Sequence, residues 1–147
     1  MSTMHSLAQH WITNVILHSP VAQTLAISVQ SAEIDHVTLA MPYSEELTTT
    51  PQVLHGGVIA TLIDTAGAAA LASGISPDDN ASGGATANLT VNYLGAAKTD
   101  LTATGKVVHR TRSATLTEVH VTDAQGTLVA TGQVNSRVFR DRSAASR

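Results

Sequence analysis

The chain has 147 residues, no cysteine, eight Lys plus Arg against eleven Asp plus Glu, and a formal net charge of −3. That length suits one hydrophobic core. The missing cysteines exclude disulfides, thiolate metal sites and a cysteine nucleophile, and the small basic content argues against a nucleic-acid partner.

In chain order, Leu7, Trp11, Val15 and Ile16 recur at helical spacing. They predict a short N-terminal helix within residues 1–20 that ends before Pro20 and lays its apolar stripe on the surface of the domain. Met1 to His18 has no basic start followed by an uninterrupted apolar stretch, so neither a leader nor a membrane partner is expected, and a cytoplasmic location is the default. Leu25, Ile27 and Val29 alternate, as do Val37, Leu39 and Met41, giving a first hairpin that turns near Glu33 to Asp35. Ser44 to Gln52 reads as a loop.

From His55 to about Ser73 the residues are mostly Ala, Leu, Ile and Thr, with no Pro, and Gly74 stands at the C-cap position. A helix this apolar on nearly all sides must be wrapped, and a curved sheet is the natural wrapper. Ser76 to Gly84 reads as a connection. Ala87, Leu89, Val91 and Tyr93 then alternate with Asn88, Thr90 and Asn92 as a strand. Further strands follow at about 100–109, 114–122 and 127–139, with short antiparallel connections at Arg110 to Ser113 and at Asp123 to Gly126. Residues 141–147 form a frayed tail. Without repeats or linkers, residues 1–147 make one domain of the α+β class.

The chemistry concentrates in Leu54-His55-Gly56-Gly57, followed by six residues and Asp64. Amides in a helix's first turn lack intrahelical partners and carry partial positive charge. With glycines there, a carbonyl oxygen can approach the Gly56 or Gly57 N–H and have its developing charge stabilised. Asp64 is a costly residue among Leu62, Ile63, Ala66 and Ala68. Nine residues at about 100° and 1.5 Å each put it on the face opposite His55, roughly 13 Å along the axis. Both groups can act on one carbonyl only if they come from two chains, which predicts a two-fold dimer with shared sites. The same residues also describe a tight turn and a buried hydrogen-bonding anchor, and spacing alone leaves the two readings even.

No Gly-x-Ser-x-Gly elbow, phosphate-binding loop, dinucleotide fingerprint or His-Glu-x-x-His is present. The seven histidines are scattered, so neither a metal nor a cofactor is expected.

The Leu54 to Asp64 stretch, the Ala-rich helix after it, and Thr86-x-Asn88-x5-Leu94-x2-Ala97-Lys98 resemble the phenylacetate-degradation (PaaI-like) branch of hotdog-fold thioesterases, over about Leu25 to Phe139. The resemblance implies a hotdog fold, a curved antiparallel sheet around the long helix, in homodimers often paired into homotetramers. It implies hydrolysis of acyl-CoA thioesters, with coenzyme A part of the substrate. Asp64 falls on the family's acid, as general base or nucleophile, Gly56 on the carbonyl-polarising amide, His55 on the turn, and Thr86 on the hydroxyl that assists the water. Thr49 stands where several members carry Asn, so a water there would meet a hydroxyl instead of an amide. For the CoA moiety the resemblance points to the turn holding Arg110, Arg112 and Ser113, two arginines with a neighbouring hydroxyl suited to phosphate, and to a groove shared by Gly57, Asn88 and Tyr93. Rival readings are a non-catalytic acyl-CoA sensing module and a hotdog hydratase, whose Asp-x4-His pattern is absent near Asp64.

Overall fold

A computed structural model describes residues 3–140, and the tail expected at residues 141–147 lies outside the described residues. The apolar run forms the central helix α3, Gly56–Ser73, with His55 as N-cap and Gly74 as C-cap. Ahead of it lie α1 (Ser6–His10), a π-helical turn (Trp11–Ile16), α2 (Pro20–Thr24), strands β1 (Ser28–Glu33) and β2 (His36–Met41), and a small hairpin of β3 (Thr48–Thr50) and β4 (Val53–Leu54). After it come β5 (Ala81–Tyr93), β6 (Leu101–Arg110), β7 (Ala114–Thr122) and β8 (Leu128–Arg140). Six strands form one antiparallel sheet in the order β1-β2-β6-β7-β8-β5.

The sheet curves around α3, which packs against β2, β5, β6, β7 and β8. Among the described residues α3 is the one helix with the length and hydropathy of a membrane span; its apolar surface is taken up by the core, where Leu62, Ile63, Ala66 and Ala69 are fully buried. Small residues set the spacing. A Cβ on Gly67 would lie 2.5 Å from Val134 Cγ1, and one on Gly132 would lie 2.6 Å from Ile63 Cγ2. Helix and β8 thus interlock, each offering a glycine to the other's branched side chain.

Four elements differ from the sequence expectation, the first being β3, which lies inside the expected loop of Ser44 to Gln52 and pairs with β4. The N-terminal segment is not one helix: the amide of Leu17 bonds the Ile12 carbonyl across five residues at 2.9 Å, and a separate α2 begins at Pro20 with Ser19 as its cap. Leu25 and Ile27 are buried but precede β1, because Ala26 takes a left-handed conformation (φ 55°) between them. Most consequentially, β5 begins at Ala81, inside the expected connection. Its glycines have weak strand preference, and long-range pairing with β8 (Gly83 opposite Phe139, Gly84 opposite Val138) overrides it.

Candidate active site

Asp64 is half-buried on α3, and its Oδ1 accepts a 2.5 Å hydrogen bond from Thr86 Oγ1 on β5. A β-bulge brings Thr86 round to it. The register steps from Thr86 opposite Ser136 to Asn88 opposite Asn135, leaving Ala87 as an extra residue. Beyond the bulge Leu89 and Val91, opposite Val134 and Gly132 of β8, are the half-buried positions facing α3. In an unbroken alternation Thr86 would share the outer face with Asn88 and Thr90; the inserted residue turns it inward.

At the other end of the site His55 Nδ1 accepts the Gly57 N–H at 2.8 Å. Gly57 is thereby committed, and among the described residues the Gly56 N–H has no such partner. The Tyr93 hydroxyl donates to the Gly56 carbonyl at 2.6 Å, and a Cβ on Gly56 would sit 3.2 Å from its ring. The one donor left available in the first turn is therefore flanked by a side chain of β5. Within one chain the two ends do not converge: eight residues of helix separate Gly56 from Asp64 by about 12 Å, and they meet β5 at Tyr93 and at Thr86 respectively.

Other sequence candidates fall into distinct places. Thr49 is exposed on β3, the residue left over where the register steps from Thr48 opposite Leu54 to Thr50 opposite Val53. Asn88 accepts a 3.3 Å bond from Thr90 on the outer face, so it and Tyr93 do not line one groove; five residues of unbroken alternation put them on opposite sides of the sheet. Arg110 has its guanidinium committed elsewhere: Nε donates to Asp35 at 2.9 Å, and Nη2 donates to the Ala70 and Leu71 carbonyls at 3.0 and 3.1 Å. A cation there complements the negative end of α3. Arg112 and Ser113 are exposed in the β6–β7 turn, where the Arg112 carbonyl accepts from Arg140 and the Ser113 carbonyl from the Val138 amide. Among the described residues no three His, Cys, Asp or Glu side chains converge as a metal site would need.

Beside Thr86 opens a cavity of about 440 Å³. Its walls are apolar, from Trp11, Val15 and Leu71, and Gly84 keeps it open, while Ser136 lies in it next to Thr86. Sequence reasoning missed Trp11, Val15 and Ser136. The lone Trp in the N-terminal stripe was the available signal, but nothing local shows that the stripe shares a cavity with β5.

A model of the thioesterase superfamily matches residues 51–130, from the hairpin before α3 into β8. The chain belongs to the thioesterase superfamily. This superfamily member is 40% identical over 126 residues to a provisionally assigned esterase of Halobacterium salinarum, covering 80% of this chain and 83% of that one. It is 34% identical over 108 residues to a similarly assigned protein of Saccharolobus solfataricus, covering 72% and 74%. A solved thioesterase-superfamily structure aligns with TM-score 0.78 at 30% identity over 90% of this chain and 98% of that one. The E. coli PaaI protein of the phenylacetic acid degradation operon aligns with TM-score 0.81 over 93% and 96%, and at 21% identity it speaks for the fold. The fold is the hotdog of thioesterases, and membership is consistent with thioester hydrolysis.

Proposed function

We propose that this protein hydrolyses acyl-CoA thioesters as a homodimer, assembled further into a homotetramer, in the manner of the PaaI-like branch and without a cofactor. The observation that carries the reading is the Asp64–Thr86 pair beside an apolar cavity, at a long sheet edge that carries neither a charge nor a proline.

β5 is thirteen residues long, ends the sheet, and contains neither a charge nor a proline. Long bare edges invite pairing with another chain. The opposite edge, β1, has only six residues and a terminal Glu33, features that discourage it. Antiparallel pairing of two β5 strands about a two-fold axis near Leu89 and Thr90 would bring Thr86 of one subunit opposite Tyr93 of the partner subunit, to within about a residue. Thr86 carries Asp64 with it and Tyr93 carries Gly56, so carboxylate and free amide then meet across the boundary.

In that site the thioester oxygen accepts the Gly56 N–H of one subunit, and Asp64 of the other takes a proton from water. The water oxygen bonds to the carbonyl carbon, the oxyanion is held by the amide, and the C–S bond then breaks. The CoA thiolate leaves with its electron pair and collects a proton, and the free acid remains. Direct attack by Asp64 through an acyl-carboxylate anhydride uses the same ionised group, and single-turnover labelling in heavy-oxygen water distinguishes the two. The CoA phosphates fall to Arg112 and Ser113, since Arg110 is occupied by Asp35 and the end of α3. Thiol release from a panel of short, medium, long and aromatic acyl-CoAs tests the reading. Asp64→Asn, still folded, should lose about 10²- to 10⁴-fold in turnover. Undiminished turnover removes the mechanism, and wild-type binding without turnover makes the protein an acyl-CoA binder instead.

A further inference from the structure

Three hydroxyls buried on the face toward α3 have no hydrogen-bond partner among the described residues: Thr115, Thr117 and Ser136. An unpaired buried hydroxyl costs free energy that an alanine or valine would avoid. Thr115 and Thr117 do not border the cavity, whereas Ser136 does, although it is only 2% exposed. Its position is informative. In the β5–β8 ladder Ser136 stands directly opposite Thr86, and opposed side chains share a face with Cβ atoms about 5 Å apart. The unmatched hydroxyl is therefore a neighbour of the residue that holds Asp64, in the lining of a cavity whose other walls include Trp11, Val15 and Leu71.

From this we infer that the cavity takes an acyl group with an apolar tail and a hydrogen-bonding oxygen on its second or third carbon, counted from the thioester carbonyl, which Ser136 recognises. The inference rests on the proposed thioester chemistry for the position of the carbonyl. A reacting carbon about 3 Å from the carboxylate or its water, and a hydrogen bond of about 2.8 Å to Ser136, leave room for only one or two carbons between the carbonyl and the substituent. The volume is about three times that of a cavity that encloses benzene, enough for a medium-length chain or an aryl group. Gly84 contributes by leaving the wall slim: an added Cβ would already lie 3.1 Å from the Arg137 carbonyl and 3.7 Å from Leu71.

The test compares octanoyl-CoA with 2-hydroxyoctanoyl-CoA and 3-hydroxyoctanoyl-CoA in two assays. One is kcat/KM of the wild type and of Ser136→Ala; the other is calorimetric binding to Asp64→Asn with and without Ser136→Ala. The wild-type serine should favour one hydroxylated ligand about tenfold in both assays. Ser136→Ala should bring that ratio to about one, with a Tm no lower than the parent's, because it removes a hydroxyl that the fold leaves unpaired. Equal handling of the three ligands by the parent overturns the inference. So does a Ser136→Ala protein that melts lower and keeps the preference. Discrimination in binding with no turnover of any thioester refutes the hydrolytic reading alone, and failure of all three ligands to bind refutes both.

Discussion

At the residue scale the proposed chemistry turns on the hydroxyl that Asp64 meets. Thr86 Oγ1 donates to Asp64 at 2.5 Å, and a donor fixes the rotamer of a carboxylate while keeping it the acceptor that water activation needs. Thr86→Val retains shape and loses the donor. Hydrogen bonds to charged groups contribute about 1.5–3 kcal/mol, so kcat for the best acyl-CoA should fall about 10- to 100-fold with KM little changed, and Thr86→Ser should restore most of it; an unchanged kcat in Thr86→Val would show that Asp64 needs no orienting. Residue identity made Asp64, Gly56 and His55 stand out, because a carboxylate among alanines and glycines at a helix start are chemically unusual. It could not show that Arg110 is taken up by Asp35 and two carbonyls of α3, since that use is set by where a β6 residue ends relative to a helix about forty positions earlier.

At the level of elements, α3 was legible almost to its ends. His55 caps its first turn and Gly74 its last, and both signals are local. The start of β5 was not legible: Ser82-Gly83-Gly84 has a loop composition, and only β8 gives it a partner. The fit of α3 against β8 yields a stability prediction. Gly67→Ala drives a Cβ to within 2.5 to 2.8 Å of three Val134 atoms, an overpacking that should cost about 1–3 kcal/mol. For a chain of this size that lowers Tm by about 2–10 °C. Val134→Ala in the same protein should recover part of the loss, and a double-mutant cycle with no coupling would contradict the interlock.

For the whole molecule the decisive test of the proposed homodimer is whether a site crosses between its subunits. Asp64→Asn removes the carboxylate, and Gly56→Pro removes the N–H at a first-turn position that tolerates proline, asking the Tyr93 ring to give by a few tenths of an ångström. Each variant alone should be inactive. Unfolded together in equal amounts and refolded, half of the dimers are mixed, and each mixed dimer pairs one intact Asp64 with one intact Gly56; the mixture should regain about a quarter of wild-type turnover. No recovery, with mixed dimers present, would place both groups within one chain.

The sequence by itself determined the α+β class, the buried helix and the strand ladder from β6 to β8, and it singled out Asp64, Gly56 and His55 as chemically unusual, because periodicity, capping and the cost of a buried carboxylate are written in neighbouring residues. Tertiary structure decided which way those residues face. The extra Ala87 turns Thr86 toward Asp64, His55 consumes the Gly57 amide and leaves the Gly56 N–H free among the described residues, and the N-terminal segment packs against α3 and, with β5, walls a cavity that Ser136 borders. Each of these depends on register and packing between segments distant in the chain, a relation that local composition does not encode.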